Sequence, residues 1–170
     1  DIITLHTPLD PTTHHLISRE RIEAMRPNAV ILNASRGAVV DNRAVAESRH
    51  RYAFDVWEDE PHLNTEILQR AMLATPHIAG YSADGKANGT RMALQAVARH
   101  FGTSFSAPVL PPALPDDYAY YPQLYSPQHP YAELLRHYDP RRDSDALRAH
   151  PEDFERLRGD YPLRREMQGG

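Results

Sequence analysis

The sequence of 170 residues contains no cysteine. That excludes disulfide scaffolds, thiolate metal sites and cysteine nucleophiles. Lysine is nearly absent too, since Lys86 is the only one and every other basic residue among the 19 is arginine. No stretch approaches the ~18 consecutive apolar residues of a membrane span. No basic-then-apolar signal segment opens the chain. The formal net charge of −4 gives no broad basic footprint for nucleic acid. The pattern G-x-G-x-x-G occurs nowhere. What remains is 41% hydrophobic and 25% charged, enough to bury a core in about one domain by the usual ~100–200 residues each. The expectation is a cytoplasmic globular protein that binds neither membrane nor nucleic acid.

Alternation of elements carries the fold. Residues 1–6 are β-branched and apolar, as in a buried strand. Ser18 offers an N-cap to a short helix, Arg19 to Met25. Val30 to Asn33 is a second strand, followed by a turn at Ser35-Arg36-Gly37. Asp41 can cap a helix through Ser48. Tyr52 to Val56 is a third strand, and Glu58 to Pro61 a polar loop. Asn64 can cap a helix to Arg70, and Met72 to Ala74 is a short fourth strand. A long helix is expected from Gly85 to Phe101, with Met92, Ala93, Ala96, Val97 and His100 near one face. This order predicts an α/β fold, a partial doubly wound (Rossmann-like) parallel sheet, with ligands beyond the carboxyl ends of the strands. Seven of the 15 prolines fall between Pro108 and Pro130, which marks a boundary. Pro151-Glu152-Asp153 opens a last helix reaching Arg158. The expected division is residues 1–103 as half of a nucleotide-binding domain with its return helix, 104–130 as a Pro/Tyr-rich linker, and 131–170 as a small C-terminal segment.

Arg36, Glu60 and His77 each follow a different expected strand. Together they fit hydride transfer on a hydroxy acid. An arginine holds a carboxylate through a two-pronged, charge-assisted pair. An imidazole can take and return a hydroxyl proton near neutral pH. A carboxylate behind an imidazole fixes its tautomer. Each residue also has an ordinary reading: a solvated turn arginine, an acidic loop beside Glu58 and Asp59, and a packing histidine.

The local sequences decide between these readings. Asn33-Ala34-Ser35-Arg36-Gly37-Ala38-Val39-Val40-Asp41 resembles the arginine-bearing signature of the D-isomer-specific 2-hydroxyacid dehydrogenases. Asp55-Val56-Trp57-Glu58-Asp59-Glu60-Pro61 resembles that family's glutamate motif, and Thr75-Pro76-His77-Ile78-Ala79-Gly80 its histidine motif. Leu5-His6-Thr7-Pro8-Leu9 is similar to a further segment. Gly80-Tyr81-Ser82, Gly85-Lys86-Ala87 and Gly89-Thr90 resemble the branch that oxidises 4-phospho-D-erythronate. So does the tail, with Tyr138-Asp139-Pro140-Arg141-Arg142-Asp143, Phe154 to Arg158, and Arg164-Arg165-Glu166.

The resemblance implies NAD as cofactor and oxidation of 4-phospho-D-erythronate at its 2-hydroxyl to a 2-oxo acid, within vitamin B6 biosynthesis. It implies Arg36, Glu60 and His77 as the catalytic residues. Arg36 would bind the substrate carboxylate, Glu60 would support His77, and His77 would be the acid/base. Thr7, Ala34, Ser35, Arg36, Asp55 and Gly80 would line the cofactor, and Tyr81 would contact the substrate. The C-terminal segment would form a homodimer. The family's glycine loop would precede Asp1, so the chain is expected to be the catalytic part of a longer enzyme, inactive alone. The chain also looks short for the family between Arg36 and Asp55, which leaves the register of the third strand open.

Two other readings remain. One is a different D-2-hydroxyacid dehydrogenase, of glycerate or phosphoglycerate type. The other is a non-catalytic NAD-sensing scaffold. No metal site is expected. His14 and His15 are adjacent, adjacent side chains point apart, and no further ligand is evident. The arginines at 141, 142, 164 and 165 are expected to pair with Asp139, Asp143 and Glu166 at the surface.

Overall fold

The structure is a computed structural model, and it describes residues 1–113, 135–136 and 138–166. Four strands form one parallel sheet: β1 (Ile2–Leu5), β2 (Val30–Asn33), β3 (Arg51–Phe54) and β4 (Leu73–Ala74). The spatial order is the chain order, β1-β2-β3-β4. Between the strands run α1 (Arg19–Glu23), α2 (Asn42–Glu47) and α3 (Thr65–Arg70). Right-handed crossovers that step one strand at a time keep these helices on one face. All four strands run the same way, so Leu5, Asn33, Phe54 and Ala74 end on a common edge.

Side-chain pairing follows from the register. Ile31 lies beside Tyr52 and Asn33 beside Phe54, and all four are buried. The intervening Leu32 is 37% exposed, so the period of two separates a packed face from an open one. The packed face meets Ile22, Val45, Leu68 and Trp57. Tyr52, Phe54 and Trp57 form an aromatic run with ring centroids 4.9 and 5.8 Å apart.

Local chemistry sets the helix starts. Asp41 accepts from the Ala44 N–H at 2.8 Å, and Asn64 accepts from Glu66 and Ile67, as N-caps should. Strand β3 begins and ends earlier than the sequence suggests. Asp55 keeps main-chain hydrogen bonds on both sides, its N–H donating to the Asn33 carbonyl at 2.9 Å and its carbonyl accepting from the His77 N–H at 2.8 Å, while its carboxylate turns to the segment after β4.

By packing, the chain divides into two compact units. One comprises Asp1–Ala79 with Asp139–Asp160, the other Gly80–Tyr138 with Tyr161–Gly170. Helix α5 (Pro140–Ala149), not anticipated from the sequence, and helix α6 (Phe154–Gly159) belong with the sheet. Leu147 and Phe154 join its core. Ser144 is fully buried, and its Oγ accepts the Ala74 N–H at 3.0 Å, satisfying the edge of β4.

The second unit is built on α4 (Ala83–His100). Its first turn is tied to the segment 164–166. The Ala83 N–H donates to the Arg164 carbonyl at 2.8 Å, Arg165 forks onto Asp84 at 2.8 Å twice, and Ser82 Oγ donates to Glu166 at 2.6 Å. Arg165 and Glu166 therefore pair with α4, where the sequence suggested partners within the tail, and Arg165 draws the Asp84 carboxyl below its usual range. The helix face expected to be apolar is open: Met92, Val97 and Phe101 are exposed, while Ala83, Ala87 and Ala98 are buried. Among the described residues no helix is long and apolar enough to cross a membrane. The tyrosines at 118, 120, 121, 125 and 131 lie outside the described residues.

Tyr52 links packing to pH. Burial pushes its phenol up to about 12 from 10, and its hydroxyl donates to the Ile67 carbonyl at 2.7 Å. A raised pKa means the folded state holds this proton more tightly, so the stabilisation is complete below pH 10 and disappears as pH rises through 12. Denaturant melts should show stability falling across that window, and Tyr52→Phe should remove this component while costing ~1 kcal/mol at neutral pH. An unchanged alkaline limb in the variant would show that Tyr52 does not carry it.

Candidate functional site

Three loops leave the common strand edge, and each is shaped by a buried polar group. After β2, Asn33 holds the turn. Its Oδ1 accepts from the Ser35 N–H at 3.1 Å and the Ser35 hydroxyl at 2.9 Å, and its Nδ2 donates to the Arg36 carbonyl at 2.9 Å. Ser35 is thereby committed to the turn and is buried, whereas Ala34 and Arg36 are exposed. Among the described residues the Arg36 guanidinium makes one hydrogen bond, to the Ser35 carbonyl at 2.7 Å. Most of its fork faces outward.

Gly37 brings that turn against the loop after β3. An ideal Cβ at Gly37 would lie 2.0 Å from both the carbonyl carbon and oxygen of Trp57, and 2.5 Å from the Glu58 nitrogen. Only glycine permits this approach. Asn42 reinforces it, donating to the Gly37 and Val40 carbonyls at 3.2 and 2.8 Å and exchanging hydrogen bonds with Glu58 at 3.3 Å.

The glutamate loop then turns back. Glu60 Oε1 accepts the Trp57 N–H at 2.7 Å. Glu60 Oε2 is 2.8 Å from His77 Nδ1. The pair is mostly screened, with side-chain exposures of 20% and 22%. An ionised carboxylate only accepts, so Nδ1 carries the proton of this bond, and in the neutral ring Nε2 is then the acceptor. The Glu60–Pro61 peptide is cis.

Asp55 fixes the third loop. Its carboxylate, 6% exposed, accepts from the Thr75 hydroxyl at 2.7 Å, the Ile78 N–H at 2.8 Å and the Ala79 N–H at 2.9 Å. The His77 N–H donates to the Asp55 carbonyl at 2.8 Å. Within this clamp His77 takes φ = +56°, left-handed for a non-glycine residue. Such strain persists where surroundings over-determine it, commonly at functional sites. The Trp57 indole N–H closes the loop onto the Thr75 carbonyl at 3.0 Å.

The structure thus brings Glu60 and His77 together and places the Arg36 turn against the same Trp57 backbone that Glu60 grips. Thr7, after β1, has a buried hydroxyl with no hydrogen-bond partner among the described residues. An unsatisfied group at the strand-end edge, where dinucleotides lie in such sheets, fits a cofactor contact. Asp55, expected to line the cofactor, already spends three hydrogen bonds on positioning. Gly80 and Tyr81 belong to the second unit. Gly80 has φ = +76°, and a Cβ there would meet nothing within 4 Å. Tyr81 has Lys86 Nζ 3.9 Å over its ring and Tyr161 edge-on at 6.2 Å. A cavity of about 440 Å³ between α2 and α3 is lined by Asn42, Glu47, Glu58 and Glu66 among others and contains none of the three candidate catalytic residues. Sequence reasoning missed Trp57, Asn33 and Asn42. The lone tryptophan inside the glutamate motif was the available signal.

Residues 1–79 match the family model described as D-isomer specific 2-hydroxyacid dehydrogenase, NAD binding domain. The chain is 45% identical over 175 residues to erythronate-4-phosphate dehydrogenase of Bacteroides fragilis, an alignment covering 98% of this chain and 49% of that protein. It is 42% identical over 189 residues to the enzyme of the same name from Ectopseudomonas mendocina, covering 99% and 49%. The chain spans about half the length of the curated relatives it matches. Among solved structures it is similar to the holo form of Rhodotorula graminis D-mandelate dehydrogenase, with a TM-score of 0.54, 27% identity, and coverage of 58% of this chain and 30% of that one. It is also similar to D-lactate dehydrogenase with NAD+ from Lactobacillus jensenii, with a TM-score of 0.50, 25% identity, and coverage of 61% and 38%.

Gly37 offers a direct check of the loop contact. Gly37→Ala must displace the Trp57 backbone and should cost at least ~3 kcal/mol or prevent folding. Gly89→Ala, in α4 with open space around it, should be neutral or stabilising by ~0.5–1 kcal/mol. Equal thermal midpoints for the two variants would contradict the contact.

Proposed function

Since residues 1–79 match the model of the D-isomer-specific 2-hydroxyacid dehydrogenase NAD-binding domain, we propose that this chain is the catalytic part of an NAD-dependent enzyme of that family, oxidising 4-phospho-D-erythronate at its 2-hydroxyl to a 2-oxo acid. The observation that carries the proposal is the His77 Nδ1–Glu60 Oε2 pair at 2.8 Å, beside an outward-facing Arg36. The names of relatives at 42–45% identity support the choice of substrate, and that substrate places the reaction in vitamin B6 biosynthesis.

The geometry supports the following roles. Arg36 grips the substrate carboxylate, because its fork matches two oxygens and is otherwise nearly uncommitted. Glu60 holds Nδ1 as a donor, so Nε2 accepts the hydroxyl proton. Asp55 and Trp57 keep the His77 loop from drifting, which preserves the proton path at hydrogen-bond length. NAD, when bound, supplies the hydride acceptor. Thr7 and the backbone of Ala34, Ser35 and Arg36 would hold it along the strand edge. Tyr81 would contact the substrate. We further propose a cytoplasmic location and a homodimer formed through the C-terminal segment.

In a full-length protein carrying this sequence, His77→Ala should cut turnover ~10²–10⁴-fold, the worth of the lost proton transfer, while leaving NAD affinity nearly unchanged. Arg36→Lys keeps the charge but loses the fork, so it should raise KM for 4-phosphoerythronate. Rates like the wild type in either variant would refute the roles. Turnover of glycerate or phosphoglycerate in preference to 4-phosphoerythronate would move the enzyme elsewhere in the family, and no turnover of any hydroxy acid would favour a scaffold. The 170-residue chain alone contains no G-x-G-x-x-G loop to cradle the dinucleotide phosphates. Calorimetry should therefore show no saturable binding of NAD at micromolar concentration, and a one-to-one micromolar isotherm would contradict that expectation.

A further inference from the structure

Outside the catalytic constellation, His14, His15 and Glu58 form a second cluster in the sheet unit. Adjacent residues in extended chain project to opposite sides, which is why the sequence argues against a shared site. The backbone removes that objection. His15 takes φ = +49°, left-handed, while its N–H donates to the Ala38 carbonyl at 2.7 Å. The reversal turns both rings the same way and stacks them, with centroids 4.1 Å apart and planes 23° apart.

Glu58 supplies the further ligand that the sequence did not reveal. Its Oε1 is 2.6 Å from His15 Nε2. One ligand atom from each of His14, His15 and Glu58 lies within 4.8 Å of the other two. His15 and Glu58 are partly buried, with side-chain exposures of 32% and 28%, and His14 is exposed. The Asn42 N–H holds the far oxygen of Glu58 at 3.3 Å, as an outer partner orients a ligating carboxylate.

We propose that His14, His15 and Glu58 bind a divalent transition-metal ion of borderline softness, Zn2+ foremost. Tetrahedral zinc with bonds of ~2.0–2.1 Å separates its ligand atoms by about 3.3 Å. The 2.6 Å pair opens toward that value, separations of up to 4.8 Å close toward it, and the stacked rings turn so that one nitrogen of each faces the ion. Two imidazoles and one carboxylate leave a fourth position for water. Mg2+ and Ca2+, which prefer all-oxygen shells, are disfavoured. Binding displaces the hydrogen bond between His15 and Glu58, so the ion takes over the tie between the segment before α1 and the glutamate loop.

A simple latch of His15 on Glu58 would need no second imidazole, so His14 separates the two accounts. The test uses the untagged 170-residue chain titrated with Zn2+ alone by calorimetry and with Co2+ by visible absorption. One site per chain is expected, with Kd ~10 μM or tighter and the intense absorption bands of tetrahedral Co2+. His14→Ala should weaken binding by more than the ~10-fold that losing even an outer partner of a ligand costs, without changing the thermal midpoint of the metal-free protein. Glu58→Gln should weaken it as well, and His62→Ala, an exposed histidine outside the cluster, should not. No saturable isotherm below ~100 μM, or an affinity that His14→Ala leaves unchanged, would overturn the proposal.

Discussion

The contact between the Gly37 backbone and the Trp57 backbone is the constraint on which the site depends. A Cβ there would be 2.0 Å from the Trp57 carbonyl, far inside any tolerable separation. Because the two backbones touch, the turn carrying Arg36 and the loop carrying Glu60 have no independent positions. Asn42 bridges both, and Glu60 accepts the N–H of the same Trp57. A substrate-gripping cation and a proton-relay carboxylate are thus registered through main chain, which moves less than side chains do.

The second constraint is electrostatic. Asp55 is buried and spends its carboxylate on three donors of the Thr75–Ala79 segment. A buried charge without such partners would cost several kcal/mol, so the segment can hardly leave while the carboxylate is ionised. His77 is held in a left-handed conformation as a result, with Nδ1 directed at Glu60. Parallel strands put all three loops on one edge. Short loops there can be precise because the sheet behind them is packed by Tyr52, Phe54 and Trp57.

Much of this was legible in the sequence, for identifiable reasons. Alternation of apolar runs with capped helices gives the parallel sheet, and Asp41 and Asn64 cap where their type suggests. The family resemblance pointed to Arg36, Glu60 and His77. The positioning role of Asp55 was not legible, because the Ile78 and Ala79 N–H groups that its carboxylate accepts from lie more than 20 residues later. Neither was the shared direction of His14 and His15, which depends on a single positive φ. The apolar positions of α4 suggested a packed face, yet the alanines of that helix are buried and its larger side chains are exposed. Periodicity reports that a face exists and says nothing of what covers it.

The central claim is that Glu60 holds His77 with its proton on Nδ1, leaving Nε2 to accept one. A histidine side chain free in water favours the Nε2–H tautomer, so the claim is discriminating. Long-range proton–nitrogen NMR correlations of His77, recorded in alkaline buffer where the ring is neutral, read the tautomer directly. The account predicts a protonated Nδ1 and an unprotonated Nε2 in the wild type, with that preference lost in Glu60→Ala. A His77 ring protonated on Nε2 in the wild type would contradict it.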